Sequence, residues 1–520
     1  MFLKLADARA KAGGARAATA TVRRTDIAGG DSTGRAQPGP GLVLATVAVV
    51  QFLVSVDLSI VNVALPQIGA HLGFSPVDLT WVINAYALTF GGLLLLGGKA
   101  ADRYGRRLVL MGGLALFGLA CMAGGLAHTP ATLVAARAVQ GAGAAALAPA
   151  ALSLLTSTFP TGRARVRAFG VWSAVNASGG AFGVVAGGLL TQYAGWRWVM
   201  FVNVPLVVIA LVLTARSVDS EHGASGRIRS GRRPDVLGAA LVTGGMSLLV
   251  FTVVRTDLHP WTSAPTLRTL VAAVLLLAAF AVVEHTTTRD PLLRLGLLTN
   301  RSVVGANGFN LLLGAVMGSG FYFVVLYLQQ VLGRGPAVTG VMSLPFAVGV
   351  VAGSMLAVKL GVRLAPRMLL IVGGLLTAAG YSGYALLSPH GSYACDVLAP
   401  LVVSSVGYGL CLAPVVSIAT AGVEARETGA ASALLNSSRQ LGASLGLAVL
   451  GTVAYHRSGQ LRTPAALTHG YAFGLTLDAG LLVAAVLIAL VVLREPPGPA
   501  QGPEQRNDLP EIAELEGSNL

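Results

Sequence analysis

The chain has 520 residues, of which 54% are hydrophobic and only 11% charged, with a mean hydropathy of +0.72. A soluble domain carries about 25% charged residues; so little charge cannot cover a soluble surface, which also excludes disorder, collagen and nucleic-acid binding for the chain as a whole. The net charge of +14 leaves two explanations, a polyanion partner or basic loops gathered on one side of a bilayer.

Residues 1–41 are polar, Arg-rich and Gly/Ala/Ser-rich, and read as a disordered head without a cleavage site. A bilayer-crossing helix needs about 20 apolar residues. Fourteen such runs follow: 42–66, 79–98, 108–127, 133–156, 168–191, 198–215, 236–254, 267–284, 303–331, 338–358, 367–387, 395–420, 430–454 and 470–493. The expected fold is therefore an all-α integral membrane protein. No soluble domain fits between the runs; the longest loop, 216–235, carries five Arg, and 494–520 reads as a disordered tail, Pro-rich and then acidic. Cys121, Cys395 and Cys411 are isolated, with no CxxC spacing, and read as small core residues rather than metal ligands or bridges.

With the N-terminus inside, 28 of the 36 basic residues fall in the head, the tail and the loops on their side, and only six in the opposite loops. That bias places both ends in the cytoplasm, in agreement with the even number of runs. The basic charge is then mainly a topology signal, with polyanion binding by the head as the other reading. No paired carboxylates, Cys/His cluster, phosphate loop or activated nucleophile stands in the loops, so neither an enzyme nor a metal or cofactor site is expected.

Taken along the chain, run 1 holds Asp57-Leu-Ser-Ile-Val-Asn62-Val-Ala-Leu-Pro66, with Asp57 its sixteenth residue and its only charge. Burial disfavours the charged form of a carboxylate. Asp57 is then either a group that binds and releases a proton near neutral pH or the structural partner of an arginine. Run 2 contains Trp81-Val-Ile-Asn84-Ala-Tyr86-Ala-Leu, where Asn84 and Tyr86 are cavity candidates and Trp81 suits an interface anchor. It leads into Gly98-Lys-Ala-Ala-Asp102-Arg103-Tyr-Gly105-Arg106-Arg107. Here a short loop with glycine at a tight turn brings two helix ends together. Asp102 can stabilise the N-terminus of a neighbouring helix and the arginines can bind carboxylates or lipid phosphates; a generic basic loop is the plainer reading.

Run 4 contains Arg137-Ala-Val-Gln140-Gly141-Ala-Gly143. An arginine in an apolar helix should face the bundle interior with a partner, unless it snorkels to the interface from its place near the run's end. Gly141 and Gly143 suit close helix packing, as do Gly179, Gly180, Gly183, Gly187 and Gly188 of run 5. Run 6 follows Trp196-Arg197-Trp-Val-Met-Phe-Val-Asn203-Val-Pro205. Run 13 carries Asn436-Ser-Ser-Arg439-Gln440-Leu-Gly442-Ala-Ser-Leu-Gly446. By position Arg439 is the more deeply embedded of the two arginines, expected to face a carboxylate or an anionic substrate group; Asn436 and Gln440 are further cavity candidates. Asp478 in run 14 is the other carboxylate well inside a run, either a functional site or a structural partner, whereas Glu284 stands at a run's end.

An internal repeat ties these runs together. Gly141-Ala-Gly-Ala-Ala-Ala-Leu-Ala-Pro149 of run 4 has a counterpart in Gly407-Tyr-Gly-Leu-Cys-Leu-Ala-Pro414 of run 12, and Gly353 to Arg367 repeats the loop after run 2 in degraded form. Both offsets are eight runs, as two six-helix pseudo-symmetric bundles with runs 7 and 8 inserted between them require. The expected divisions are the head, a first bundle at 42–215, a linker with runs 7 and 8 at 216–302, a second bundle at 303–493, and the tail.

The GxxxDRxGRR string resembles the signature loop of the major facilitator superfamily, and RxxQG resembles that superfamily's span-4 motif. DxxxxNxALP, the Trp81–Leu88 string, WRWxFxxNxP and NxxRQxGxxxG narrow the resemblance to its fourteen-span drug:proton antiporters, the EmrB/QacA type. The likeness spans about 42–493 and departs at Val184, where that family's run-5 motif has proline. The resemblance implies that the loop is a latch between the halves (Gly98, Asp102, Arg103, Gly105, Arg106, Arg107) and that Arg137 serves proton transfer. Asn62, Pro66, Gln140, Gly141, Gly183, Gly187 and Gly188 then belong to motif and packing positions. It implies proton-driven export of hydrophobic or amphiphilic drugs by alternating access across a bacterial cytoplasmic membrane, by a monomer whose energy source is the proton gradient. Export of one endogenous metabolite, proton-coupled import and a membrane sensor are the alternatives.

Overall fold

Inside a bilayer no water satisfies a bare backbone N–H or C=O, so an apolar run crosses as a helix or as part of a closed barrel. Every long element here is a helix. The structure, a computed structural model, describes residues 39–159, 162–218, 235–257, 259–286, 295–423, 428–459 and 463–493. All fall in one of the two units into which the chain divides, Pro38–Leu520. The expected head up to residue 38, the centre of the loop 216–235 and the tail lie outside the described residues.

The first group of helices is α1 (Pro40–Leu72), α2 (Trp81–Tyr104), α3 (Arg106–Gly125), α4 (Pro130–Thr158), α5 (Gly162–Tyr193) and α6 (Arg197–Ser217). Next come α7 (Val236–Val254) and α8 (Ala264–Thr286). The last group is α9 (Arg301–Val331), α10 (Pro336–Leu360), α11 (Pro366–Leu386), α12 (Tyr393–Thr420), α13 (Thr428–Ser458) and α14 (Pro464–Val491). Among the described residues thirteen of the fourteen are long and apolar enough to cross a membrane. The exception is α13, whose 31 residues include the polar stretch Asn436–Gln440. At about 1.5 Å per residue it is long enough to cross, and it packs against α2, α9 and α14.

Helix starts follow ordinary chemistry. Pro40, Pro130, Pro336, Pro366 and Pro464 open their helices, where the missing N–H costs nothing. Thr129 and Thr463 add side-chain caps. Three expectations about local structure need correction. α1 does not end at Pro66; it runs on to Leu72 and stops at Gly73, whose φ of 71° lets its N–H close on Gly69 O. α2 likewise continues through Asp102 to Tyr104, so Gly98 is helical, facing Pro149, and the turn is Gly105 alone, at φ 88°. That backbone conformation is close to glycine-only. Gly105→Val is expected to cost about 1–3 kcal/mol, read as a lower thermal midpoint in detergent, while Gly98→Ala is tolerated. A third correction concerns Cys395, which is exposed at the start of α12 while Cys121 and Cys411 are buried.

The packing repeats at an offset of eight helices. In the first group α1 packs on α5 and α6, α4 on α2 and α3, and α3 on α6; in the last, α9 packs on α13 and α14, α12 on α10 and α11, and α11 on α14. Between the groups the same relation pairs α2–α13 with α10–α5. The glycine stripe of α5 makes its contacts possible: Gly179, Gly183 and Gly187 lie against Ser55, Val56 and Ile60 of α1, and Gly188 against Pro336 of α10. Val184 keeps α5 continuous, and its carbonyl meets Gly340 of α10. α7 rests on α2 and α13, while α8 packs on α7 and buries little else.

Candidate functional site

Asp57 lies in mid-α1 and is fully buried, so its carboxylate has no water and must find every partner within the protein. Its Oδ2 pairs with Arg137 Nη1 of α4 at 2.9 Å. Its Oδ1 accepts from Gln140 Nε2 at 2.9 Å and from Asn203 Nδ2 of α6 at 3.1 Å. Arg137 is only 2% exposed. It also donates from Nε to Val82 O at 3.0 Å and from Nη1 to Gln140 Oε1 at 2.9 Å, and its guanidinium lies 4.4 Å from the Tyr86 ring centre. Gln140 further donates to Cys121 Sγ of α3 at 2.8 Å. Five helices thus meet at one ion pair.

The arrangement has a clear chemical capacity. With Asp57 ionised the site is neutral and the carboxylate accepts three donors, the condition under which a buried ion pair is tolerated. A proton on Asp57 leaves the guanidinium uncompensated in a dry interior, so proton binding changes the charge of the core by one. Helix spacing explains the geometry, since Arg137 and Gln140 are three residues apart and share one face of α4.

The other residues singled out in the sequence fall in three places. Asn84 is buried on α2 and neither of its amide atoms has a partner, nor has Gln440 Nε2 or Ser444 Oγ of α13, which packs on α2. Arg439 is half-buried, whereas Arg137 is fully buried. Its described partner is Asn436 Oδ1 at 3.3 Å rather than a carboxylate, because the polar face of α13 at this level is exposed at Asn436 instead of closing on a bundle core. Asp478 is fully buried between α14 and α9, where Ser319 Oγ lies 2.7 Å from its Oδ1. Asn62 donates to Leu58 O within α1, and Gly141 sits against Tyr86 and Thr89 of α2.

Two arginines of the basic turn bond to helices of their own half. Arg106 donates to Ser157 Oγ of α4 at 2.7 Å and Arg107 to Ala215 O of α6 at 3.3 Å. Asp102 is exposed at the end of α2, beside the turn that leads into α3. Closure lies toward the opposite face. There Gln329 donates to Val63 O at 2.9 Å, Ala337 N to Gln192 Oε1 at 3.0 Å, and Tyr322 approaches Pro76 O at 3.5 Å. Nearer mid-membrane Ser437 Oγ donates to Gly91 O at 2.7 Å. The sequence does not announce that Asn203 and Cys121 join the Asp57 site or that Ser319 faces Asp478. A lone polar group in an apolar run was the available signal for each.

Residues 47–447 match the Major Facilitator Superfamily model. The chain is 40% identical to the cephamycin export protein CmcT of Amycolatopsis lactamdurans, covering 90% of this chain and 95% of that one. It is 38% identical to the puromycin resistance protein pur8 of Streptomyces alboniger, over 91% and 96% of the two chains. Among solved structures it resembles a bacterial homolog of the human lysosomal transporter Spinster in an inward-facing and occupied conformation, with TM-score 0.59 at 18% identity, covering 88% of this chain and 97% of that one. A peptide transporter POT in complex with sulfate superposes with TM-score 0.63 at 17% identity, over 88% and 94%. The fold, the family match and these relatives agree: the chain is a multi-span membrane protein that belongs to the major facilitator superfamily.

Proposed function

We propose that this protein exports amphiphilic antibiotics across a bacterial cytoplasmic membrane in exchange for protons, with Asp57 as the proton carrier. The observation that carries the reading is the fully buried Asp57–Arg137 pair at the meeting of five helices. The names of the relatives, a cephamycin export protein and a puromycin resistance protein, support the substrate class and the direction. The face bearing Arg103–Arg107 is taken as cytoplasmic on the charge bias of the loops. The conformation, joined toward the other face, then corresponds to a carrier closed to the outside, with Asp57 ionised and paired. When the halves rock to open outward, Asp57 takes a proton, Arg137 loses its counter-charge, and the repacking favours substrate release. Return delivers the proton inward, where a potential of 100 mV contributes about 2.3 kcal/mol per charge. In this reading the protein is a transporter without enzymatic activity or bound cofactor, working as a monomer in the lipid bilayer, its energy source the proton gradient.

The name of one relative, a cephamycin export protein, favours a second reading, a dedicated exporter of a single metabolite. Expression in a pump-deficient host with a panel containing puromycin, a cephamycin and unrelated amphiphiles separates the two. Raised tolerance to several compounds, abolished by a proton uncoupler, is expected. Tolerance to one compound only supports the dedicated exporter, and tolerance that survives the uncoupler contradicts proton drive.

A further inference from the structure

Asp478 lies among α14, α9 and α11, fully buried, with Oδ2 lacking any hydrogen-bond partner. The neighbouring hydroxyl decides its chemistry. Ser319 Oγ stands 2.7 Å from Ala315 O and also 2.7 Å from Asp478 Oδ1. A serine has one hydrogen to give and lone pairs to accept with, so it cannot donate to both. If Asp478 carries a proton, the chain of bonds closes: the acid donates to Ser319 Oγ and Ser319 donates to Ala315 O. If Asp478 is ionised, Ser319 must turn its hydrogen to the carboxylate and give up its bond to Ala315 O, and Oδ2 is left a buried charged acceptor with no donor.

The surroundings supply no counter-charge. α11 presents the Tyr381 hydroxyl, which donates to Val316 O at 3.2 Å, and α9 presents Ser319. The cations of α13 are engaged elsewhere, Arg439 with Asn436 and Arg457 5.4 Å from the Phe473 ring centre. Arg367 of α11 caps Ala489 O and Leu490 O at the far end of α14. Symmetry explains the vacancy. In the first half an acid on α1 meets an amide on α6, Asp57 with Asn203; in the second a hydroxyl on α9 meets an acid on α14, Ser319 with Asp478. Under the eight-helix offset these are equivalent helix pairs. The arginine is what the second half lacks: the place of Arg137, four residues before Gly141, falls four residues before Gly407 on Val403.

We propose that Asp478 is a second proton site, holding a proton in this conformation through Ser319 and exchanging it when the second half rearranges. Its protonation in this state stands on the geometry alone; its part in transport rests on the proton-driven reading above. The two sites are complementary, since Asp57 is balanced when ionised and Asp478 when neutral.

Infrared spectroscopy of the purified full chain in lipid nanodiscs at neutral pH tests the occupancy without any substrate. The wild type is expected to show a carboxylic-acid C=O band that persists in Asp57→Asn, disappears in Asp478→Asn, and moves to higher frequency in Ser319→Ala, where the acceptor of its proton is gone. If Asp478→Asn does not fold, the Ser319→Ala shift decides alone. A band unchanged in Asp478→Asn, or unmoved in Ser319→Ala, overturns the assignment. In proteoliposomes with puromycin as probe, Asp478→Asn is expected to transport with one proton fewer per molecule; an unaltered ratio removes Asp478 from coupling. Absence of puromycin-linked proton movement in the wild type would count against the functional reading, while the infrared result would still stand for or against the site.

Discussion

Asp57→Asn abolishes proton-coupled export, with loss of at least tenfold in transport-dependent tolerance, and it destabilises the fold. The amide preserves the size of the carboxyl but removes the charge, so Arg137, 2% exposed, is left as a buried cation held by Val82 O, Gln140 and the Tyr86 ring. Removing one partner of a buried pair costs about 3–5 kcal/mol. The double variant Asp57→Asn/Arg137→Gln restores neutrality and is expected to recover most of the stability, because replacing both charges is far cheaper than stranding one. It should not recover transport, since no group at the site then binds a proton. Thermal unfolding in detergent and substrate efflux from vesicles read the two effects separately. Recovery of both in the double variant would mean that the pair is structural only.

Gly188→Val is the second large effect, and it acts on the conformational equilibrium instead of the chemistry. Gly188 of α5 lies directly against the Pro336 carbonyl at the start of α10, and a side chain there meets backbone, which cannot yield as a flexible side chain does. Overpacking of this kind costs about 1–3 kcal/mol. The cost applies only when the halves close at this face, so it shifts the equilibrium toward the outward-open form by roughly 5- to 150-fold. With the exposed Cys395 changed to serine, a thiol introduced by Gln329→Cys reports the closure directly, because Gln329 bonds across it to Val63 O. Labelling from outside by an impermeant thiol reagent is expected to rise already in Gly188→Ala, whose Cβ meets the Pro336 carbonyl, and further in Gly188→Val. Equal labelling in all three would show that this contact does not close the carrier.

How much of this was readable in the chain depends on the interaction concerned. The helices were, because length and hydropathy alone decide whether a segment crosses a bilayer; even α13, too polar by composition, was betrayed by its place between loops. Local pairing was readable too, since Arg137 and Gln140 share a face by spacing. Distant pairing was not. Nothing in the sequence says that Asn203, 146 residues beyond Asp57, donates to it, or that Ser319 and not an arginine faces Asp478. Helix rotation about its own axis decides those contacts, and the nearly uniform apolar surface of a membrane helix carries little periodic signal to fix it. The same limit hid the partner of Arg439: its place in the run suggested a carboxylate, but the face it occupies is exposed at Asn436, which accepts its bond. Which glycine makes the turn was unreadable for a different reason. Gly98 and Gly105 are both glycines of one motif, and only the backbone angle of 88° shows which one bends the chain.

The central claim is that substrate moves out because protons move in through Asp57. Inverted membrane vesicles energised by respiration, carrying a pH-sensitive fluorescent dye and given puromycin, test it most directly. The account predicts that puromycin makes the vesicle lumen less acid in the wild type, by drawing protons out as the drug enters, and that Asp57→Asn vesicles show no response. Puromycin accumulation that continues unchanged after the proton gradient is collapsed, or an undiminished proton response in Asp57→Asn, would contradict it.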